Sequence, residues 1–566
     1  MKKEVVQKYR PYRPIELKDR TWPDRTIDKA PLWCSVDLRD GNQALIYPMS
    51  IRQKTEFFET LVKIGFRHIE VGFPAASEIE YRFLRKIIEE KLIPEQVTIQ
   101  VLTQAREHLI RRTFEALAGV PKAIVHLYNS TSTLQRDVVF GMDKDGIINL
   151  AVQGTKLIKK LTKEYGLNIT LEYSPESFTG TECDFAVEIC TRVMEEWEPD
   201  PHNKIILNLP ATVEMTTPNI YADQVEYFIR HIPHRELAII SLHTHNDRGT
   251  AVAATELGLM AGADRVEGTL FGNGERTGNV DIVTLALNML TQGVDPELDL
   301  SDINHLVEVF ERNTGMEVHP RHPYAGDLVF TAFSGSHQDA INKGMKAYRE
   351  RQSKYWEVPY LPIDPQDIGR TYDSIIRINS QSGKGGVAYV MEHDFGFCLP
   401  KTMHPEFAAI IQKIAEEQGG EILPEEIYEA FKREYLDRKL PFELLHITTG
   451  RGDLEEQEIE VELEVLYAGE KLHLVGRGNG PLDSIRHALV SSGLINFNIK
   501  NYSEHSLSEG SDSKAIAYIQ VERADGATFY GVGISPNIGR ASVEALFSAV
   551  NRAFAHLPAK KLLYLS

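Results

Sequence analysis

The 566-residue sequence has few cysteines, no excess of positive charge and no long apolar run. Its four cysteines form no C-x-x-C pair and no spacing of a disulfide framework, so a disulfide-stabilised protein is not predicted. No uncharged apolar run approaches the roughly 18 to 20 residues that cross a bilayer, and the basic start lacks the apolar stretch of a secretory signal. We therefore expect a cytoplasmic protein that has no membrane partner.

The net charge is acidic, because 81 Asp and Glu residues stand against 62 Lys and Arg residues, which gives −19 at pH 7. Nucleic acids and anionic lipids are bound by clustered basic side chains, so neither partner is expected. The contents of hydrophobic residues (42%) and charged residues (25%) are ordinary for a globular protein. At roughly 150 residues per domain, the length predicts three or four units, or one large barrel with additions.

Between about residue 32 and residue 275, a short β-rich run, a polar turn and a helical stretch follow one another eight times. Several runs are continuously apolar, as in strands that are buried on both faces. Regular spacing of such runs is typical of β/α units. The predicted strands are 33–39, 68–73, 97–103, 123–129, 168–173, 204–209, 238–243 and 265–271, with helices such as 49–64 and 249–261 between them.

Eight β/α units in about 250 residues predict a (β/α)₈ TIM barrel, and the alternative is an open doubly wound sheet. The polar residues distinguish the two folds. Almost every strand ends in reactive side chains, whereas an open sheet would concentrate them at one switch point. The segments at the strand ends include LRDGNQ, EVGFP, LEYSPES, HTHND and FGNGE. This distribution favours the closed barrel.

The rest of the chain consists of a helical, proline-punctuated linker region and a C-terminal segment in which two strands and a helix occur twice. The second segment predicts an α+β domain of the kind that senses a small molecule. Its predicted strands are 458–467, 471–475, 515–522 and 528–534. We expect an N-terminal extension over 1–30, a catalytic barrel over 31–308, linker subdomains over 309–430 and a regulatory domain over 431–566.

His243 and His245 lie two positions apart on the seventh predicted strand, so both imidazoles point to the same side. At the end of a barrel strand, such a pair is typical of metal ligation rather than of a structural role. The rival pair, His319 and His322, lies among prolines in HPRHP and is interpreted as part of a rigid loop.

A site with two imidazoles needs oxygen ligands to hold a divalent ion. Asp40 follows strand one and Asn279 follows strand eight, and strands one, seven and eight are neighbours in a closed barrel. These residues are therefore expected to converge on one ion. Arg39, beside Asp40, has the planar fork that binds a carboxylate or a developing enolate oxygen.

Two further strand-end residues, Glu176 in YSPES and Thr212 in LPATVEM, are suited to positioning water and to binding substrate; each alone also fits a helix cap or a turn. The segment GNGERTGN differs from a dinucleotide-binding fingerprint, because Thr277 occupies the position of the third glycine and the segment closes the last unit. We therefore reject a nucleotide-binding interpretation.

Together these segments resemble the 2-isopropylmalate synthase family in its longer form, over nearly the whole chain. Relatives in the wider superfamily often carry an acidic residue where this chain has Asn42. The matching segments are LRDGNQALIYPM, EVGFPAAS, HLYNSTS, EYSPESFTGTE, NLPATVEMTTPNIYAD, SLHTHNDRGTAVAA, VEGTLFGNGERTGN, FSGSHQDAINKG, VPYLPIDPQDIGRTY and RINSQSGKGGVAY.

The resemblance implies a Claisen-type condensation of acetyl-CoA with 3-methyl-2-oxobutanoate, followed by hydrolysis to 2-isopropylmalate and CoA, the first committed step of leucine biosynthesis. It implies a divalent metal as cofactor, Mg²⁺ first and Mn²⁺ or Zn²⁺ as alternatives. The implied metal positions are Asp40, His243, His245 and Asn279, the implied substrate-binding residues are Arg39 and Thr212, and the implied catalytic residues are Arg39, Glu176, His337 and Tyr372.

The resemblance also implies a homodimer, in which the segment carrying His337 and Tyr372 reaches over the partner's barrel. The C-terminal domain resembles a leucine-feedback domain, and its loops 478–481 and 533–537 are candidate leucine contacts. Within these loops, the residues expected to contact leucine are Gly478, Asn479, Gly480, Pro481 and Ile534.

Three other functions remain as alternatives. A citramalate or homocitrate synthase shares the chemistry and differs in the 2-keto acid that fits. A metal-dependent hydrolase of the amidohydrolase type also carries His-x-His, but on its first strand rather than on its seventh. A non-catalytic sensor would bind leucine without turnover.

Overall fold

A computed structural model describes residues 7–8, 12, 14–332, 334–370, 384–418, 422–436, 438–450, 458–507 and 513–557. Tyr372 lies outside these residues. The chain divides into two compact units, one formed by Met1–Val329 and Ile363–Tyr372, the other by Phe330–Pro362 and Asp373–Ser566. Within the described ranges, none of the helices has the length and apolar character needed to cross a bilayer.

The first unit contains a closed barrel of eight parallel strands in the order β1 to β8, as predicted. The barrel closes where Leu32 and Cys34 of β1 pair with Arg265 and Glu267 of β8. The strands are β1 Leu32–Ser35, β2 His68–Gly72, β3 Thr98–Gln104, β4 Ala123–Ser130, β5 Ile169–Glu176, β6 Ile205–Ala211, β7 Ala238–Thr244 and β8 Arg265–Gly268.

A long helix follows each strand, and a ninth closes the series; a short helix, Thr133–Gln135, also lies between the fourth strand and its long helix. The long helices are α1 Ile51–Ile64, α2 Glu78–Glu89, α3 Glu107–Leu117, α4 Lys144–Tyr165, α5 Cys183–Trp197, α6 Pro218–His231, α7 Ala251–Met260, α8 Ile282–Thr291 and α9 Ile303–Thr314. The sequence marks the ends of α1 clearly. Ser50 and Gln53 form a capping box at its start, and Gly65 ends it in the left-handed conformation. Its apolar face, including Phe57 and Phe58, is fully buried.

The first and eighth strands are shorter than the sequence predicts, and Asp37 forms hydrogen bonds at the carboxyl ends of both. After β1 the chain enters a π-helical turn, Asp37–Gly41, so Arg39 lies in this turn and not in the strand. The Asp37 carboxylate accepts hydrogen bonds from the Ser35 hydroxyl (2.7 Å) and from the backbone N–H of Leu270 after β8 (3.0 Å). The Asp37 side chain thus binds the backbone just after β8, where a further strand partner would otherwise lie.

The second unit contains helices α10 Gly335–Arg351, α11 Lys384–Phe395, α12 His404–Gln418 and α13 Pro424–Phe431, followed by two three-stranded sheets. One helix follows the last strand of each sheet. The strands are β9 Phe442–Thr449, β10 Ile459–Tyr467, β11 Glu470–Gly478, β12 Phe497–Ser506, β13 Ala515–Arg523 and β14 Thr528–Ser535, and the helices are α14 Pro481–Ser491 and α15 Ile538–Ala553.

The repeated C-terminal unit therefore has three strands and a helix, not the two strands and a helix predicted from the sequence. The strands that were missed, β9 and β12, have a single buried residue each, so they lack the apolar alternation that reveals a half-buried strand. The sheet β12–β13–β14 is covered on both faces. Ala517 and Ile519 of β13 enter a core with α14 and α15, whereas Ile516 and Tyr518 pack on a core with the linker helices.

Candidate metal centre

Asp40, His243 and His245 meet at the carboxyl end of the barrel strands, and all three are buried. The Nε2 atom of His243 lies 3.1 Å from Asp40 Oδ2 and 3.3 Å from His245 Nε2. The Nε2 atom of His245 lies 3.5 Å from the same carboxylate oxygen. The π-helical turn after β1 carries Asp40 to this position, and the alternation along β7 turns both imidazoles toward it. Residues from strands one and seven thus converge as the sequence indicates.

Asn279 joins this cluster from the loop after β8. An isolated β-bridge pairs it with His245, and its Nδ2 donates a hydrogen bond to Asp40 Oδ2 (2.8 Å). Its Oδ1 atom is buried and has no hydrogen-bond partner among the described residues. Gly274 leaves room for this oxygen, since a Cβ atom there would lie 1.9 Å from it. Rotation of the amide by half a turn would aim the oxygen at the cluster.

The four side chains fit a divalent cation. Two imidazole nitrogens, a carboxylate oxygen and an amide oxygen form a mixed N/O ligand set, which suits several divalent ions. With its amide rotated, the Asn279 oxygen, which has no partner among the described residues, would join the other three ligand atoms.

Charges in the cluster differ strongly between the two imidazoles. Burial opposes a charge on His243, yet its hydrogen bonds to Asp40 and Glu267 prevail and raise its pKa to about 9. Burial and the neighbouring charge of His243 lower the pKa of His245 to about 4. Burial alone would raise the pKa of Asp40, but Arg39 and the imidazoles hold it well below its usual range. A carboxylate and a neutral imidazole are thus present at neutral pH.

Two buried carboxylates support the cluster, and sequence reasoning missed both. Glu267 on β8 accepts from His243 Nδ1 (2.8 Å), which fixes the imidazole with Nε2 toward the site. Glu70 on β2 accepts from Arg39 Nε (2.5 Å), while Arg39 Nη1 lies 2.9 Å from Asp40 Oδ1. The signal was present in the sequence as single acidic residues inside apolar runs, HIEVG and RVEG.

A deeper polar layer lies beneath these residues, where many barrels are filled with branched aliphatic side chains. His126 Nδ1 lies 2.9 Å from Glu70 Oε1, and its Nε2 lies 2.7 Å from the Ser174 hydroxyl. The fully buried Arg265 lies 2.9 Å from Glu267 and 3.3 Å from Glu172. Because this guanidinium already supplies positive charge, we interpret the group His126, Glu172 and Glu267 as an ion-pair network and not as a second metal site.

A cavity of about 220 Å³ opens above the cluster. Its wall includes the apolar surfaces of Leu102 and Pro210 and the ring of Tyr128. Glu176 and Thr212, predicted as site residues, also line it. The full lining is Arg39, Asp40, Gln43, Leu102, His126, Tyr128, Ser174, Glu176, Asn208, Pro210, Thr212, His243, His245, Glu275 and Arg276.

Glu176 and Thr212 have hydrogen-bond partners that fix their orientation. The Glu176 carboxylate accepts a hydrogen bond from the Ser130 hydroxyl on the neighbouring strand. The Thr212 hydroxyl accepts from the backbone N–H of Ser177 (2.9 Å) and keeps its own proton available for a ligand.

Arg276 connects three loops at the rim and was not predicted. Its guanidinium donates to the Thr212 carbonyl oxygen (2.5 Å) and to both oxygens of Asp247 (2.7 and 3.0 Å). Arg276 belongs to the loop after β8, Thr212 to the loop after β6, and Asp247 to the loop after β7. The loops that carry His245, Thr212 and Asn279 are thereby held together.

His337 belongs to the second unit, on α10, where its exposed imidazole stacks on the ring of Tyr360 with a centroid distance of 4.0 Å. Tyr360 is also exposed and has a left-handed backbone (φ 65°), which is uncommon for an aromatic residue. Tyr372, which was predicted from the sequence, lies outside the described residues, and no sequence pattern indicated Tyr360.

The candidate leucine contacts lie on two different features of the second unit. Asn479, Gly480 and Pro481 line a cavity of about 630 Å³, together with Arg486 and Tyr502. Gly478 ends β11, where a Cβ atom would lie 2.6 Å from the Asp483 carboxylate.

The fifth candidate, Ile534, packs against the core formed with the linker helices and does not line this cavity. The structure therefore brings together three of the five candidate leucine contacts.

His319 and His322 form a loop, as the sequence indicates. His322 Nε2 lies 3.0 Å from Asp281 Oδ2, and its ring packs edge-on against Phe271. His319 Nδ1 accepts from the backbone N–H of Arg321 (3.1 Å). These contacts account for both imidazoles.

Comparisons with known families and proteins agree over nearly the whole chain. Residues 30–310 match the HMGL-like family, 327–392 the Alpha-isopropylmalate synthase, post-catalytic domain-like family, and 421–554 the LeuA allosteric (dimerisation) domain. The chain is 57% identical to the 2-isopropylmalate synthase of Clostridium acetobutylicum, over 97% of this chain and 99% of that protein.

Two further relatives carry the same name. The 2-isopropylmalate synthase of Acetoanaerobium sticklandii is 56% identical over 96% of each chain. That of Rhodospirillum rubrum is 54% identical over 96% of this chain and 98% of its own. The chain belongs to the 2-isopropylmalate synthase family.

Proposed function

We propose that this protein condenses acetyl-CoA with 3-methyl-2-oxobutanoate and hydrolyses the thioester, so that 2-isopropylmalate and CoA are released in the first committed step of leucine biosynthesis. The observation that carries the proposal is the convergence of Asp40, His243 and His245 beneath a cavity of about 220 Å³, in a chain that matches its relatives over nearly its full length.

The cavity supplies complementary groups for both ends of a branched 2-keto acid. Arg39 presents a guanidinium for the carboxylate or the keto oxygen, and the Thr212 hydroxyl has a proton to donate. Leu102, Pro210 and Tyr128 provide apolar surface for the branched alkyl group. The hydrophobic part of the wall therefore favours a branched substrate over 2-oxoglutarate, whose second carboxylate would face it.

We propose that Asp40, His243, His245 and Asn279 hold a divalent cation, with Mg²⁺ as the first choice and Mn²⁺ or Zn²⁺ as alternatives. When bound, such an ion acts as a Lewis acid that polarises a carbonyl group, an effect worth several kcal/mol. Glu267 and Glu70 do not line the cavity, and they hold the His243 imidazole and the Arg39 guanidinium in place.

Acid–base chemistry is assigned to Glu176, His337 and Tyr372. A base must remove a proton from the acetyl methyl group, and another group must activate the water that cleaves the thioester. Glu176 lines the cavity beside the cluster, which supports a role at the reacting atoms. His337 is exposed on the second unit, as is expected of a group that completes the site of another chain.

We propose that the active form is a homodimer with a site shared between protomers. The match to a dimerisation domain over residues 421–554 supports self-association. Large apolar side chains in the loops after β1 and β4 are more than two thirds exposed, which marks a surface for another protein segment. They are Ile46, Tyr47, Leu134, Val138 and Val139.

The C-terminal domain, from about residue 431, is proposed to bind leucine and inhibit the enzyme. The cavity at the start of α14, with Asn479, Gly480 and Pro481, is the candidate leucine site. A P481W substitution would fill this cavity and is expected to abolish leucine inhibition while activity without leucine persists. The control is R540A, which removes an exposed ion pair on α15. Unchanged leucine inhibition in P481W would exclude this site.

The reaction itself is tested by following release of the CoA thiol from acetyl-CoA with competing keto acids and added divalent ions. We expect 3-methyl-2-oxobutanoate to be preferred over pyruvate and 2-oxoglutarate. Preference for pyruvate would assign a citramalate synthase, and preference for 2-oxoglutarate a homocitrate synthase. Thiol release that does not depend on any keto acid would overturn the proposed condensation.

A further inference from the structure

Lys54 is a fully buried lysine whose three donors are all used at the base of the catalytic loops. It lies on α1, and its ammonium donates to the carbonyl oxygens of Leu38 (2.8 Å) and Val71 (3.3 Å) and to Glu80 Oε1 (2.5 Å). One side chain from the first barrel helix thus connects the turn after β1, the end of β2 and the first turn of α2.

The two carbonyl groups bound by Lys54 flank the residues that orient the metal centre. Leu38 immediately precedes Arg39, and Val71 immediately follows Glu70. Arg39 and Glu70 are paired at 2.5 Å, and Arg39 in turn contacts Asp40 at 2.9 Å. The backbone on both sides of this ion pair is therefore held by a single ammonium group.

The carboxylate of Glu80 is held as firmly as the lysine. Its Oε2 accepts from the backbone N–H of Phe73 (3.2 Å), and the amide of Asn42 approaches its Oε1 (3.5 Å). A Cβ atom on Gly72 would lie 1.8 Å from Oε2, so the carboxylate occupies space that only glycine leaves open. Asn42 thus faces the Lys54–Glu80 pair, and its Oδ1 accepts from the backbone N–H of Met49 (2.7 Å).

A buried ion pair of this kind is poorly explained by stability alone. Removing two charges from water costs several kcal/mol per ion, and replacing such a pair by apolar residues of similar volume is often neutral. What apolar residues cannot replace is the pair of hydrogen bonds to the carbonyl groups of Leu38 and Val71. The structural consequence of the pair is therefore the fixed geometry of the turn that carries Arg39 and Asp40.

We propose that Lys54 and Glu80 are positioning residues for the reaction, acting through Arg39, Asp40 and Glu70 without touching substrate. This inference rests on the proposed function for its kinetic consequence only. The geometric consequence, an ordered Asp37–Gly41 turn, is independent of which substrate the protein uses.

The test is the double variant K54M/E80M in the full chain, which removes both charges and leaves no unpaired ion. We expect a folded protein with a lower thermal midpoint, because the carbonyl groups of Leu38 and Val71 lose their donor. We also expect faster amide hydrogen exchange in residues 37–42 and 71–73 and a loss of roughly 10²-fold in kcat/KM for the keto acid, the scale of a 1 Å misplacement. The matched control is K159M/E198M, since Lys159 also donates to a glutamate and to a backbone carbonyl, away from the site.

Wild-type exchange and wild-type kcat/KM in a folded K54M/E80M protein would overturn the proposal. If the double variant does not fold, E80Q takes its place, with a loss of about tenfold in kcat/KM and faster exchange of the turn expected; wild-type values there would equally overturn it. Hydrogen exchange needs no substrate. A wild-type protein that fails to condense the keto acid would therefore reject the proposed function while leaving this test intact.

Discussion

The Nε2 atom of His243 lies 3.1 Å from Oδ2 of Asp40, although 203 positions separate the two residues in the sequence. The contact exists because the barrel closes between β1 and β8, which makes the first and seventh strands near neighbours at the rim. Two side chains with metal-binding atoms thus share one buried point, and a substitution at either one should disable the site without disturbing the core.

The first prediction concerns the metal centre. Removal of an outer-sphere partner typically lowers metal affinity by roughly 10–100-fold. The H243A variant should lose more than this in its affinity for Mn²⁺ or Mg²⁺, because a ligand itself is missing. Turnover should fall to background while the far-UV circular dichroism stays unchanged. Titration calorimetry with the metal measures the first effect, and H202A, in an exposed loop, is the control. Near-normal activity of metal-stripped wild-type protein would contradict this assignment.

The second prediction concerns the clamp formed by Arg276. In R276K the fork that binds Asp247 and the Thr212 carbonyl is lost, so the loops after β6, β7 and β8 are no longer tied together. We expect KM for the keto acid to rise by about tenfold, the effect of losing roughly one charge-assisted hydrogen bond. Steady-state kinetics with saturating acetyl-CoA measures it.

The control for this clamp is R235K. Arg235 pairs in the same way with Asp264 and with a backbone carbonyl, but at the opposite end of β7. Equal rises of KM in R235K and R276K would contradict a specific role of Arg276, because loss of any such arginine fork in the barrel would then raise KM.

The third prediction tests a site shared between protomers. H243A lacks a metal ligand and H337A lacks the exposed imidazole of the second unit, so each should be inactive alone. In a mixture that exchanges subunits, half of the dimers are mixed and each has one intact site, which should restore roughly a quarter of wild-type activity. Thiol release after co-refolding or co-expression measures this. No recovery in proven mixed dimers would place His337 in the site of its own chain.

The fourth prediction concerns the buried carboxyl of Asp37, which ends β1 and β8. Burial raises its pKa to about 7, although hydrogen bonds from Ser35 and Leu270 oppose the shift. The folded state therefore binds this proton more tightly than the unfolded state. The contribution is fully present below the unfolded pKa near 4 and is lost as the pH rises through 7.

The measurement is the free energy of unfolding of the barrel between pH 4 and pH 8. Wild-type protein should lose up to about 4 kcal/mol over this range relative to D37N, which has no ionisable group there. D295N, at an exposed turn, should follow the wild type. A D37N curve with the same pH dependence as the wild type would refute the raised pKa.

Much of the barrel is predictable because its strands are local features. The segments at the strand ends, including HTHND and FGNGE, mark the carboxyl edge through residue type alone. The His243–His245 pair follows from the period of two along a strand, and its proximity to Asp40 follows from closure of the barrel.

The supporting residues were not predictable in the same way. Glu70 and Glu267 are single letters inside apolar runs, and only their contacts with Arg39 and His243 show that they orient the site. Arg276 stands in a segment full of polar residues, where nothing in the sequence indicates that its partners belong to two other loops. The stacking of His337 on Tyr360 joins a helix to the loop that follows it, and no periodic pattern encodes it.

The sequence by itself determined the eightfold β/α pattern, the positions of the reactive side chains and the choice of a metal-binding pair, because these depend on periodicity and residue chemistry. Tertiary structure alone decided that β9 and β12 complete the C-terminal sheets, that Asn42 turns toward Lys54 and Glu80, and how each imidazole is charged. Those properties depend on burial and on partners far away in the chain, which local sequence patterns do not contain.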